Sequence, residues 1–239
     1  MINSPNYWSP IRAKEHMGTP YRGRSAQRYD VRWRRFTACT HARVLALIDF
    51  AALLSVPDRL GHAPRALDVA CGTGVLLGQL LDRVPGLDAY GVDASADMLA
   101  QARAALAAQL TVQVELAELG VGERANLPYP LGFFDLITFT NALHYLADPV
   151  ATLAGLRRLL APGGQLIVED FARRGPPFPW PAFEWLIRRI DRGHVHAYSL
   201  DEAHSLCARA GLLVLDQRAF VVDRLWHAWV VSTQGTSYG

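Results

Sequence analysis

The stretch Ala66-Leu67-Asp68-Val69-Ala70-Cys71-Gly72-Thr73-Gly74 constrains this chain more than any other. The apolar run from Ala66 to Ala70 reads as a buried strand, and a glycine turn then leads into a helix that opens at Val75. Strand, glycine turn and helix N-terminus together present backbone N–H groups to a nucleotide-like ligand. Gly72 and Gly74 can take backbone angles that other residues resist, and without Cβ atoms they let a ligand approach closely. The turn therefore reads as a binding site.

Glycine spacing alone does not name the ligand. Gly72, Gly74 and Gly78 form G-x-G-x-x-x-G, a pattern close to that of dinucleotide-binding proteins. The acids say more. Asp68, four residues before the first glycine, would repel a pyrophosphate but suits a cationic amino-acid head. Asp93, nineteen residues after Gly74, is placed to accept both hydroxyls of a ribose. A nucleoside carrying an ammonium group fits both, and that ligand is S-adenosylmethionine. An NAD(P)-dependent oxidoreductase is the alternative that the glycines and Asp93 leave open. Against it stand Asp68 and the absence of a Tyr-x-x-x-Lys pair, since the only lysine, Lys14, lies outside the core. A protein of natural-product metabolism that binds S-adenosylmethionine without methylating is a second alternative.

Leu67 to Gly74 resembles the first motif of class I S-adenosylmethionine-dependent methyltransferases, in particular the branch similar to the ubiquinone/menaquinone C-methyltransferases. Four further stretches match in order: Gly91-Val92-Asp93-Ala94-Ser95-Ala96-Asp97-Met98-Leu99, Gly122 to Pro130, Phe134-Asp135-Leu136-Ile137 through Asn141 to Leu146, and Leu160 to Leu166. The resemblance covers residues 25 to 232. It implies a Rossmann-like, doubly wound α/β fold with a seven-stranded sheet of order 3-2-1-4-5-7-6 and strand seven antiparallel. It also implies cofactor contacts at Asp68, Ala70, Gly72, Thr73, Gly74, Asp93, Ala94, Met98 and Asn141, with Glu123 and the Arg124 backbone amide at the adenine. Glu123 stands where the family usually has Asp.

Short apolar runs alternate with helical patterns, as parallel strands joined by right-handed crossovers require. Strands are expected at 66–71, 88–92, 111–116, 133–139, 164–169, 212–218 and 226–232, with helices at 74–84, 95–109 and 148–160. Residues 1–24, with Pro5, Pro10, Gly18, Pro20 and Gly23, lack periodicity and read as a mobile arm; 25–239 reads as a single domain. From Ser25 to Leu54 the apolar spacing is helical, and Tyr29-Asp30 followed by Phe36 resembles the family's cofactor-capping helix. Tyr29 then either approaches the methionine end or packs its own helix. Residues 173–210 are too long for a simple connection. Phe183, Trp185, Leu186, Ile187 and Ile190 give this insertion an apolar stripe, read as a substrate lid or as core or dimer packing.

Asn141 and His144 follow strand four, on the side where a methyl group would be delivered. His144 either accepts a proton from the nucleophile or bonds a backbone carbonyl and shapes the pocket. His194 and His196, two apart, share a face of an extended segment, with Tyr198 nearby; a metal site would need a third ligand, and none stands at suitable spacing. Substrate contact or a solvent-facing lid is the remaining reading.

The formal net charge is only +2, yet Arg12, Lys14, Arg22, Arg24, Arg28, Arg32, Arg34, Arg35 and Arg43 crowd the start. No aromatic-and-basic repeat accompanies them, so they read as a solvated face and not as a nucleic-acid site. Cys39, Cys71 and Cys207 lack metal-ligand spacing, and no apolar run reaches the ~18 residues of a membrane span, which together suggest a cytoplasmic protein. The implied partner is a small-molecule acceptor, with the protein a monomer or homodimer. The single lysine among many Arg and Ala points to a GC-rich bacterial genome.

Overall fold

The computed structural model describes residues 21–107, 114–118, 127–191 and 193–235. Residues 1–20 of the expected arm, together with Glu123 and Arg124, lie outside the described residues.

Seven strands form one sheet: β1 (Arg65–Val69), β2 (Asp88–Asp93), β3 (Val114–Glu118), β4 (Phe134–Thr140), β5 (Leu160–Phe171), β6 (Leu212–Val221) and β7 (His227–Gly235). Their order is β3-β2-β1-β4-β5-β7-β6. β1 runs parallel to β2 and β4, while β7 is antiparallel to both β5 and β6. All seven residues of β4 are buried, so its sequence shows no alternation. That is how a central parallel strand covered on both faces reads.

Helices α5 (Val75–Leu81), α6 (Ala96–Leu106), α7 (Pro149–Leu159) and α9 (Leu200–Arg209) make the connections. Their starts are written in the sequence. Ser95 caps α6, Asp148 caps α7 ahead of Pro149, and Ser199 with Glu202 forms a capping box on α9. One apolar cluster, containing Leu67, Ile137, Phe139 and Trp229, fills one face of the sheet. A second, containing Ala66, Leu77, Leu136 and Val230, fills the other.

The helical stretch expected from Ser25 to Leu54 is broken into α1 (Arg24–Gln27), α2 (Tyr29–Leu45) and α3 (Phe50–Leu54), followed by α4 (Val56–Leu60). The 173–210 insertion is divided as well. Its second half is α9, a sheet-covering helix packed on β6 and α7, so it does not belong to a lid. Its first half carries α8 (Trp180–Ile190), whose stripe splits in two. Phe183 and Ile187 pack with Trp33, Phe36 and Trp226, whereas Trp185, Leu186 and Ile190 face outward and are exposed. Phe183, Leu186, Ile187 and Ile190 share one helical face with Trp185 opposite, so the split within that face comes from which part of it the rest of the chain covers. No helix among the described residues is long and apolar enough to cross a membrane.

Candidate functional site

The carboxyl ends of β1, β2 and β4 converge on one cavity, the place where open α/β sheets bind ligands. From the first strand and its turn come Asp68, Ala70, Gly72 and Thr73; from the second come Asp93, Ala94 and Met98. Tyr29 closes it from α2, and Asn141 reaches it from the end of β4. Ala70 and Asn141 both have positive φ, 58° and 51°, the only two non-glycine residues so placed among those described. Each strand thus ends in a left-handed residue that swings the chain away from the sheet and opens the cavity, at a cost of order 1–3 kcal/mol apiece.

Asp93 organises the turn. Its Oδ2 accepts the Gly72 N–H at 2.9 Å and its Oδ1 accepts the Ser95 N–H at 2.8 Å. Burial raises its carboxyl above the usual carboxylate range, while the Ser95, Gly72 and Ala94 amides oppose that rise. Asp68 does not bond the glycine-loop amides. Its Oδ1 accepts the Thr138 hydroxyl at 2.7 Å, and complete burial pushes the carboxyl up to about 7. The two acids therefore have separate tasks: one shapes the turn, and the other keeps its remaining oxygen for the cavity.

The glycines are needed for a reason other than ligand approach. Gly74, at φ 77°, lies behind the cavity, and a Cβ there would come within 3.1 Å of Ala102 Cβ and Leu106 Cδ1 on α6. At Gly72, φ 56°, a Cβ would stand 3.3 Å from Met98 Cε. Met98 is thus packed beneath the turn as well as lining the cavity. Gly74→Ala should lower stability by about 1–2 kcal/mol, from the left-handed backbone and the crowding of α6. A urea midpoint unchanged from the parent would show that the turn can shift without cost.

The N-terminal segment is tied across the cavity. Thr73 Oγ1 donates to Asp30 Oδ1 at 2.8 Å, Ser95 Oγ donates to the Tyr21 carbonyl at 2.7 Å, and the Gly23 amide donates to Asp97 at 2.7 Å. Tyr21 and Tyr29 meet edge to face, with ring centroids 4.7 Å apart. Burial drives the Tyr29 phenol well above its usual range, so it stays neutral.

His144, His194 and His196, singled out in the sequence for proton transfer or substrate contact, do not line this cavity. His144 is buried on the other side of its loop, where its main-chain N–H donates to Asp170 Oδ2 at 2.8 Å and its ring Nδ1 lies 2.8 Å from Asp170 Oδ1. Its partner is a carboxylate, not the expected backbone carbonyl. The His144 carbonyl in turn accepts the Val195 and His196 amides, so this residue fastens the insertion to the sheet. His194 Nε2 sits 3.1 Å from Glu184 Oε1, and His196 Nδ1 lies 3.8 Å from the same oxygen. Burial holds the His194 imidazole below its usual range. Among the described residues no group of three or more His, Cys, Asp or Glu is set to hold a metal ion. Tyr198 packs edge to face on His196.

Sequence reasoning passes over Thr37, His41 and Tyr145, all of which line the cavity. Tyr145 also donates its O–H to Asp191 at the end of α8, 2.6 Å away, linking the cavity wall to the insertion. The only signal for Tyr145 is its place one residue after His144.

The methyltransferase-domain family matches residues 67–166, the part that builds the turn, both acids and the end of β4. The chain is 36% identical over 159 residues to the demethylmenaquinone methyltransferase of Thermus thermophilus, covering 66% of this chain and 61% of that protein. It is 30% identical over 183 residues to the ubiquinone biosynthesis O-methyltransferase of Cereibacter sphaeroides, covering 72% of this chain and 70% of that one. It therefore spans less than two thirds of the Thermus relative's length. Geranyl diphosphate C-methyltransferase from Streptomyces coelicolor, solved with S-adenosyl-L-homocysteine, shares the fold with a TM-score of 0.64 at 14% identity, over 92% of this chain and 87% of that one. A glycine turn braced by the acid of the next strand, a second acid buried within the first strand, and sequence shared across most of the Cereibacter enzyme agree: the chain belongs to the S-adenosylmethionine-dependent methyltransferase family.

Proposed function

We propose that this protein transfers the methyl group of S-adenosylmethionine to a small-molecule acceptor by in-line displacement. The observation that carries the reading is Asp93: its two oxygens are fixed by the Gly72 and Ser95 amides at the cavity edge, which orients their remaining lone pairs for a vicinal diol. The residues fit the cosubstrate. Asp68 offers a buried oxygen to an ammonium, and Tyr29, Ala70, Gly72, Thr73, Ala94, Met98 and Asn141 surround the space between the two acids.

Bound there, S-adenosylmethionine supplies a sulfonium methyl group that an acceptor lone pair can take. What the chain itself must do is hold and dry the site. Tyr21 and α2 cover the cavity, held by the bonds of Asp30 to Thr73, Tyr21 to Ser95 and Gly23 to Asp97. Proximity and orientation of this kind can supply ~7–11 kcal/mol of a barrier. Among the described residues His41 is the histidine of the cavity wall; the departing sulfide needs no proton, and a base is required only where the acceptor must give one up. The segment from Arg173 to Ser199, with α8, serves as the lid, coupled to the cavity through Tyr145 and Asp191. The described residues from Tyr21 onward act as one domain, four residues earlier than the expected boundary, because Tyr21 and Gly23 are bonded to Ser95 and Asp97, and the free thiols of Cys39, Cys71 and Cys207 support a reducing, cytoplasmic setting.

Asp68 gives the reading a pH signature. Its folded value of about 7 lies above the usual carboxylate value, so near neutrality the empty site carries a protonated acid. An ammonium beside it favours the carboxylate, so binding releases a proton and affinity rises as pH increases from about 6 to about 8. Calorimetry with S-adenosylhomocysteine in two buffers of different ionisation enthalpy should show that release, and Asp68→Asn should remove it. No proton release in the parent would place the ammonium elsewhere. Without ligand the same group acts the other way: stability falls as pH rises from about 4 through about 7, because the folded state alone retains the proton.

A further inference from the structure

One side of α8 is held by the fold and the other is not. Phe183 and Ile187 pack with Trp33, Phe36 and Trp226, yet Trp185, Leu186 and Ile190 are 58%, 46% and 70% exposed. At about 100° per residue, Trp185, Arg189, Leu186 and Ile190 follow one another around the helix over an arc of about 140°. Arg189 lies over the Trp185 ring, its guanidinium carbon 4.5 Å from the ring centroid. Three large apolar side chains left outward along one helix mark an interaction surface.

The charge around this face has one sign. α2 packs beside α8 through Trp33 and Phe36, and Arg28, Arg32 and Arg35 stand exposed on its adjoining flank. The Tyr21 phenol senses both Arg32 and Asp191, which puts the start of α2 near the end of α8. Among the described residues Arg28, Arg32, Arg35 and Arg189 have no ion pair. The acids of these two stretches are each bonded elsewhere: Glu184 meets His194, Asp30 takes the Thr73 hydroxyl, and Asp191 takes the Tyr145 hydroxyl. A cationic rim around an exposed Trp, Leu and Ile is the make-up of a helix that lies in the surface of an anionic bilayer. Arginines draw the chain to the negative surface, and a Trp suits the boundary between headgroups and acyl chains. With 11 residues α8 is about 16 Å long, half the ~30 Å hydrocarbon thickness, so it would lie along the surface and not cross it. A second copy is the poorer occupant, because a twofold axis through this face would bring two Arg189 side chains together.

We propose that the outward face of α8, with Arg189 and the α2 arginines beside it, docks the protein on an anionic lipid surface. Docking of this kind is independent of the methyltransferase reading, and its test contains no cosubstrate, so either can fail alone. The purified full chain is sedimented with phosphatidylcholine vesicles and with vesicles that also hold about 30% phosphatidylglycerol. Binding to the anionic vesicles is expected to be about tenfold tighter or more, and to weaken as salt is raised from about 0.1 M to about 0.5 M. Trp185→Ser combined with Ile190→Ser should weaken it about tenfold or more, and Arg189→Gln about fivefold. Leu215→Ser, on β6 and 53% exposed in the parent, should bind as the parent does. All of these side chains are exposed, so each variant should keep the parent's unfolding temperature. Equal binding to the two kinds of vesicle, a double variant that binds as tightly as the parent or fails to fold, or an equal loss in Leu215→Ser would each overturn the proposal. Binding to neither vesicle would overturn it as well, and dimers that the double variant abolishes would then give the face to a second copy.

Discussion

Asp93→Ala weakens S-adenosylhomocysteine binding at least tenfold, about 1.4 kcal/mol, and lowers stability in the same stroke. Two effects combine. The proposed diol contact is lost, and hydrogen bonds to a charged group are worth about 1.5–3 kcal/mol each. The Gly72 and Ser95 amides also lose their acceptor, which releases the glycine turn from the start of α6. Isothermal titration with S-adenosylmethionine, S-adenosylhomocysteine and NAD(P)H, run well below the variant's unfolding temperature, distinguishes the readings. Affinity of the parent for NAD(P)H alone would return the chain to the oxidoreductase class, and an Asp93→Ala variant that binds the adenosyl ligands as tightly as the parent would detach Asp93 from the ribose.

Asp170→Ala should destabilise the fold more than Gly74→Ala does, by about 3–5 kcal/mol. Asp170 is 1% exposed and takes the His144 main-chain N–H, the His144 ring and its own neighbour's Phe171 N–H, the last at 2.7 Å. Removing it leaves three buried donors without a partner. The damage should spread to the insertion, because the His144 carbonyl receives the Val195 and His196 amides. Urea unfolding reads the global loss, and limited proteolysis between α8 and α9 reads the local one. Asp170→Asn, which keeps one acceptor oxygen, should cost less, about 1–2 kcal/mol. A midpoint for Asp170→Ala within about 1 kcal/mol of the parent would mean that the His144 turn holds itself.

Both residues sit at strand ends, yet only one is legible in the sequence. Asp93 ends an apolar strand a fixed distance beyond a glycine turn, and backbone geometry leaves an acid there few other tasks. Asp170 follows the equally apolar run Leu166-Ile167-Val168, but its meaning depends on His144, 26 residues earlier, and no local pattern connects the two. The same distance hides the Thr73–Asp30 bond, which joins residues 43 apart, and the division of the α8 stripe, which is set by where Trp33, Phe36 and Trp226 happen to meet it. His144 stands out in the sequence as a special residue, but its surroundings do not, because a sequence gives a residue's place in a loop and not the side to which the loop folds.

By itself the sequence determined what repeats locally: strands from apolar runs, helices beginning near 95 and 148, where Ser95 and Asp148 cap them, and a ligand turn from glycines that take positive φ. These depend on interactions within a few residues, and they carried the α/β class and the glycine turn with Asp68 and Asp93 proposed to hold the cosubstrate. Only the tertiary structure decided what crosses the sheet: that Asp68 answers to Thr138, that Gly74 is needed for α6, and that the Glu169 carboxyl and the His41 Nδ1 are enclosed by the fold. Burial is the physical reason. It is a property of the packed whole, and burial alone turns an ordinary glutamate or histidine into a neutral group with an unmet hydrogen bond.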